Sequence, residues 1–209
     1  VAPDYFWHLT LPLLSLVQSD SGTLGFSGTA RLSGPLPGGA ARNLVLPLEG
    51  NWSPAAGLAV GRECAAMRFD SLSYANLTLA SREVTLCPQP GGAILRADAR
   101  GMRLAAGAPS LSISGKLGAT PIRIASGPLG FAVPGNLAAR SLDIVLGQPA
   151  SASRFRIANL SARIGGGVAG KFAGSEVYLA AVPLDLLDAS GDWQFANGRL
   201  GIADAAFRL

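Results

Sequence analysis

The chain has 209 residues, 49% of them hydrophobic and only 14% charged, with 27 glycines, 14 prolines and a formal charge of +4. Ordinary globular chains carry roughly 25% charged residues and roughly 7% glycine, and disorder needs low hydrophobicity with high charge, so this balance excludes a disordered chain and a helical bundle alike. The 15 arginines are scattered singly, with Arg154/Arg156 and Arg96/Arg100/Arg103 the only close groups, which argues against the clustered, aromatic-interleaved surface of a nucleic-acid binder.

Apolar residues recur at period two from one end of the chain to the other, the mark of half-buried strands. Tyr5 to Val17 is the one weak helix candidate, yet its Leu9, Leu11 and Leu13 alternate as a strand would. His8 and Pro12 interrupt it, and it falls short of the ~18 to 20 apolar residues that a membrane-spanning helix needs. Phe26, Gly28, Ala30 and Leu32 follow, then Leu44, Leu46 and Leu48, then Leu77 and Leu79 with Val84 and Leu86. Beyond them come Leu111 and Ile113, Ile122 and Ile124 around Arg123, Leu129-Phe131-Val133, and Leu142 to Leu146 with Asp143 inside. Phe155 and Ile157 straddle Arg156, Val177 and Leu179 straddle Tyr178, and Leu184 and Leu186 straddle Asp185. Pro37-Gly38-Gly39, Pro90-Gly91-Gly92, Pro134-Gly135-Asn136 and Gly165 to Gly167 punctuate these runs as turns. The last twenty residues read as a hairpin around Asn197-Gly198, a dipeptide suited to a type I′ turn. Counting back from it, Phe195 faces Leu200 and Trp193 faces Ile202. Ser27-Gly28-Thr29, Ser114-Gly115-Lys116 and Ala169-Gly170-Lys171 form a loose, irregularly spaced repeat of one hairpin-like unit.

Few residues invite chemistry. Gly165 to Lys171 satisfies the outline of a phosphate loop, but Phe172 stands where a magnesium-binding Ser or Thr belongs, and the following residues read as strand rather than helix. His8 is the sole histidine and sits in an apolar run, so a multi-histidine metal site is ruled out and a His-based triad is disfavoured. Asp185, Asp188 and Asp192 could pair as carboxylates, yet Asp185 sits on the polar side of a strand and the others border an expected Ser190-Gly191 turn, where Asp caps backbone. Three glycosylation-like sequons, at Asn51, Asn76 and Asn159, are read as incidental. The reading is therefore no enzyme, no cofactor and no metal. Cys64 and Cys87 are the only cysteines. An even pair without metal-type spacing in a turn-rich chain favours a disulfide in an oxidising compartment, the alternative being two unpaired buried thiols.

A sheet with one apolar face buries it against a second sheet or a helix layer, closes on itself, or holds something else. Here the sequence resembles the AsmA-like bridge proteins of the Gram-negative envelope, closest to the YdbH-like branch of intermembrane phospholipid transport. The residues that carry the resemblance are Gly50-Asn51-Trp52-Ser53-Pro54, then Cys64 with Met67-Arg68-Phe69-Asp70-Ser71-Leu72 through Leu86-Cys87-Pro88. The closing Gly191-Asp192-Trp193, Asn197-Gly198-Arg199-Leu200 and Ala203-Asp204-Ala205 share the cadence of such repeats. The resemblance implies an elongated, curved, mostly antiparallel sheet of hairpin repeats forming an open groove, with at most a short helix near the N-terminus. It implies phospholipid acyl chains as ligand and a periplasmic location. An inner-membrane anchor helix outside residues 1–209 and a small outer-membrane lipoprotein added to the sheet edge complete the expectation.

Residues 1–209, opening on Val1 rather than Met, are accordingly read as one segment of a longer β-groove protein, with 88–92 the best candidate sub-boundary. The expected groove lining is Leu46, Leu79, Ile113, Ile124, Phe131, Ile144, Ile157, Leu179 and Phe195, with Arg123, Asp143, Arg156 and Asp185 at the opposite parity. The competing reading is a structural or adhesive β-sandwich or β-solenoid whose apolar face is simply its core.

Overall fold

The computed structural model describes residues 8–36, 38–164, 167–182, 185–196 and 199–209. Among them are sixteen strands and one 3-10 turn, Pro149–Ser151. The chain divides into two compact units, one up to Ala106 and one from Gly107 onward.

The first unit contains β1 (His8–Gln18), β2 (Leu24–Leu36), β3 (Gly39–Ser53), β4 (Gly57–Val60), β5 (Ala65–Tyr74), β6 (Leu77–Leu86), β7 (Leu95–Asp98) and most of β8 (Gly101–Ala108). Every pair is antiparallel, and β1, β2 and β3 follow one another as a meander. On its other side β3 pairs β5 through Gly39 to Val45 and β4 through Gly50 to Ser53. Next to these lie β6 on β5, and β7 then β8 on β4. So β4 and β5 act as two halves of one long strand broken at 61–64, and β6 and β7 as halves of the next, broken at 87–94. The disulfide joins these two breaks, since Cys64 is bonded to Cys87 immediately beyond the Ala65↔Leu86 pair.

The N-terminal run is a strand and not a helix over 8–18, pairing Leu9 with Leu32 and Leu16 with Phe26. Its alternation and Pro12 both disfavour helix, and the free edge of β2 supplies a ladder.

The second unit holds β9 (Leu111–Leu117), β10 (Thr120–Ser126), β11 (Leu129–Val133), β12 (Gly135–Leu146), β13 (Ser153–Ile164), β14 (Val168–Tyr178), β15 (Asp185–Ala196) and β16 (Arg199–Arg208). From β12 to β16 they form an antiparallel meander. The other side of β12 is shared, as in the first unit, between β11 at its start and β10 at its end. The final hairpin has the register read from the sequence, Phe195↔Leu200 and Trp193↔Ile202, while its Asn197-Gly198 turn lies outside the described residues.

A line of backbone irregularity crosses the strands of the second unit. Ser141, Gly174, Asp188 and Asp204 have left-handed φ values of 51, 61, 51 and 49°. Ser141 stands between the pairs Arg140↔Asn159 and Leu142↔Ile157, opposite Ala158, which in turn stands opposite Gly174. Asp188 and Asp204 sit at the register shifts of the next two strands. A residue of this kind bends a strand and slips its alternation by one. Two consecutive residues then face one way and positions i and i+3 return to the opposite face. Burial records the slip in β12 to β15: Arg140-Ser141, Ala158-Asn159, Ala173-Gly174 and Leu187-Asp188 are exposed between more buried neighbours. In the first unit Asn43, φ 48°, does the same between buried Ala41 and Leu44.

Part of the core lies along the crease that these slips make. Among the described residues the buried hydrophobics are nine alanines plus Leu44, Phe69 and Ile122. Ala41 and Leu44 flank the slip in β3, and Ala139 and Ala189 flank those in β12 and β15. At the inside of a bend side chains converge, so only small ones fit. Ser190 and Gly191, expected as a turn, lie inside β15 instead.

Candidate functional site

Strand register places the sequence-predicted apolar residues. Ile113 pairs Ile124 and Ile124 pairs Ile144, and the row continues through Phe155, Val177 and Leu186. A second row runs Phe131, Leu137, Ala162, Gly170, Trp193 and Ile202. Between them Ile157 stands in the row Leu142, Ile157, Ser175 and Ala189, beside the crease. Phe195 belongs to the outermost row, with Ile164, Val168 and Leu200. Ile113, Ile124, Phe131, Ile144, Ile157 and Phe195 thus share one face of the second unit. Leu179 follows the last residue of β14 and takes no place in the ladder. In the first unit Leu46 and Leu79 pack with Leu32, Leu36, Met67, Leu72 and Val84 around Ala41, Leu44 and Phe69.

The large side chains of this face are half-buried rather than enclosed, and several are open to solvent: Phe195 is 41% exposed, Leu200 64% and Ile202 59%. The chain's surface of 13409 Å² compares with about 9,100 Å² expected for a compact protein of 21.3 kDa.

The opposite face of the second unit is ionic. Asp143 pairs across the ladder with Arg156, and Arg156 with Glu176. The Arg154 guanidinium donates to both Asp143 carboxylate oxygens, one of them at 2.9 Å, which holds that carboxyl below its ordinary range although burial opposes it. Arg156 donates to Glu176 at 3.0 Å, and the Tyr178 hydroxyl donates to the same carboxylate at 3.0 Å. Both bonds lower the Glu176 pKa, and the neighbouring carboxylate raises that of Tyr178. Arg156 also lies 5.8 Å from the centre of the Tyr178 ring. Arg123 faces Val145, and Asp185 faces Tyr178, on this same side.

Lys171, the lysine of the phosphate-loop outline, is a mid-strand residue of β14 and donates to Asp192 at 2.8 Å. The bond raises the Lys171 pKa. Gly165 and Gly166 lie outside the described residues. Asp188, taken from the sequence as a turn cap, is a left-handed strand residue paired with Arg208 at 3.3 Å. Asp tolerates that backbone better than most residues. With Asp192 held by Lys171 and Asp188 by Arg208, the three aspartates form no site, and no cluster of three metal-type ligands occurs among the described residues. His8 is exposed on β1.

The sequence reading missed the crease. Its signal is present as i, i+3 slips in the alternation: Ala139 then Leu142, Ile157 then Leu160, Phe172 then Ser175, Leu186 then Ala189.

An antiparallel sheet that is hydrocarbon on one face and ion-paired on the other defines a scaffold that presents an apolar surface. The chain belongs to the YdbH-like family, described as intermembrane phospholipid transport protein YdbH, whose model matches residues 9–209. Neither the curated proteins nor the solved structures include a significant match to this chain.

Proposed function

We propose that this chain is a segment of a periplasmic phospholipid conduit in which acyl chains lie against the apolar face of each unit and headgroups stay in water. The observation that carries the reading is the register that assembles Ile113, Ile124, Ile144, Phe155, Val177 and Leu186 into one row of half-buried hydrocarbon. Such contact contributes ~0.8 kcal/mol per buried CH₂ and is non-directional, so it holds a lipid tail without fixing it at one place. Charges on that face would cost several kcal/mol each unless paired, and the cross-strand ion pairs stand on the other. The disulfide suits an oxidising compartment. In this reading an anchor helix beyond residues 1–209 holds the protein at the inner membrane. A small outer-membrane lipoprotein adds a strand to β16, which pairs only β15 among the described residues.

The test is photo-crosslinking in Gram-negative cells, with a benzophenone amino acid at Ile124, Phe131 or Ile144 and, as controls, at Arg123 or Asp143. Lipid adducts from the first group alone support the conduit. Absence of adducts from a folded protein at all five positions refutes it and leaves a self-packed structural module.

A further inference from the structure

Two directly paired positions on the apolar face place a phenyl ring against a glycine of the neighbouring strand. Phe172 pairs Gly191, and Phe26 pairs Gly50. The ring tip of Phe172, its Cζ, lies 3.1 Å from the point where a Gly191 Cβ would be, and that of Phe26 lies 2.6 Å from the equivalent point at Gly50. Directly opposed Cβ atoms stand about 4.5 to 5.5 Å apart in an antiparallel pair. A ring standing upright from its strand would hold Cζ at least that far from its neighbour's Cβ. Both rings therefore lean across the adjacent strand, into space that a side chain would occupy. Among the described residues the arrangement occurs in each unit, close to the left-handed line in β14 and β15, and near the start of β2 and the end of β3.

Neither glycine has a left-handed φ, but a Cβ at Gly50 would already meet the Ala59 carbonyl oxygen at 2.3 Å, so the adjacent backbone calls for glycine there and Gly191 is the position where the ring decides. What Gly191 permits is the ring. Its absent Cβ would also meet the Ala203 carbonyl oxygen at 3.1 Å and the Ala205 Cα at 3.2 Å, so a methyl there has no direction in which to yield and the ring must move. With the strand beneath it and paired neighbours on either side, the ring's remaining path is upward, away from the sheet.

We propose that Gly191 is a clearance position: it lets Phe172 lean across the neighbouring strand and so keeps the path above the apolar face open to an acyl chain. The proposal rests on the conduit reading. It deepens it by naming the residues that set how much chain cross-section can pass.

The experiment uses the full-length protein in cells, with the benzophenone reporter at Ile144 or at Phe195, on β12 and on β15 respectively, and lipid adducts counted against protein recovered. The wild type must yield adducts at Ile144, and if it does not, the conduit reading itself has failed. Gly191→Ala is expected to keep adducts at Ile144 and to lose about fivefold or more at Phe195, the factor given by ~1 kcal/mol of overpacking. Gly191→Ala combined with Phe172→Ala removes the ring and is expected to restore the Phe195 adducts. Unchanged adducts in the single variant, or no recovery in the double, overturn the proposal. Should Gly191→Ala fail to fold, Phe172→Trp leaves Gly191 intact but is too large for the space beside Ala203 and Ala205. It should give the same loss at Phe195, and wild-type adducts there would also overturn the proposal.

Discussion

Ser175 is the most deeply buried residue described, at 1% exposure, and its Oγ has no hydrogen-bond partner. It stands on the apolar face at the inside of the crease, between Ile157 and Ala189 and next to left-handed Gly174. A buried hydroxyl without a partner costs about 1 to 3 kcal/mol by the measure of protein mutations. Ser175→Ala removes that cost and leaves only an oxygen-sized gap, because the Cβ stays in place. The net expectation is a gain of ~1 kcal/mol, or about 2 to 4 °C in Tm for a chain of this length. The assay is urea unfolding of the purified protein, with the midpoint rising and the slope unchanged. Ser175→Val, which adds a branch where the bend leaves no room, should destabilise by ~1 to 3 kcal/mol. A loss of stability in Ser175→Ala would show that the hydroxyl is bonded and refute its role as an unpaired group in the crease.

Removing the disulfide by Cys64→Ser should lower stability by about 3 kcal/mol, given a closed loop of sequence separation 23; reductant should do the same to the wild type and nothing further to the variant. Gly174→Val, at φ +61° and with Ala158 Cβ 3.1 Å from the new Cβ, should destabilise by ~1 to 2 kcal/mol or more. Gly174→Asn, which enters the left-handed region more readily, should cost less, as paired thermal melts would show. Asp143 and Glu176 have folded pKa values lowered from 3.8 and 4.5, chiefly by the Arg154 and Arg156 hydrogen bonds. Their contribution is therefore present above those ordinary values and is lost as pH falls through the lowered ones. Asp143→Asn should flatten the acid limb of a stability-against-pH curve below about pH 4, while leaving the region above pH 6 nearly level.

The sequence by itself determined the elements. Alternation at period two depends only on which residues are apolar, so the strand runs at 26–32, 44–48 and 142–146 were legible, as was the final hairpin, whereas Gly39, Gly135 and Asn136, expected in turns, lie inside strands. There the turn dipeptide sets the pairing, and Phe195↔Leu200 follows by counting. The cysteine pair was legible for a similar reason, being even in number and unsuited to metal. What alternation cannot convey is phase across a bend. Whether Ala139 and Leu142 share a face depends on Ser141 taking a left-handed conformation, and that choice is enforced by Ala158 and Gly174 opposite, residues 17 and 33 positions away in the chain. Tertiary structure likewise decided that Ser190-Gly191 continues a strand, because Gly191 pairs Phe172 and Ser190 pairs Ala206 in the ladder. It gave Lys171 to Asp192 across a ladder 21 residues long in sequence, where the local glycine pattern had suggested a phosphate loop. Local periodicity made each strand, but the faces that strands share are settled only between neighbours, where one slipped residue must be matched by the next.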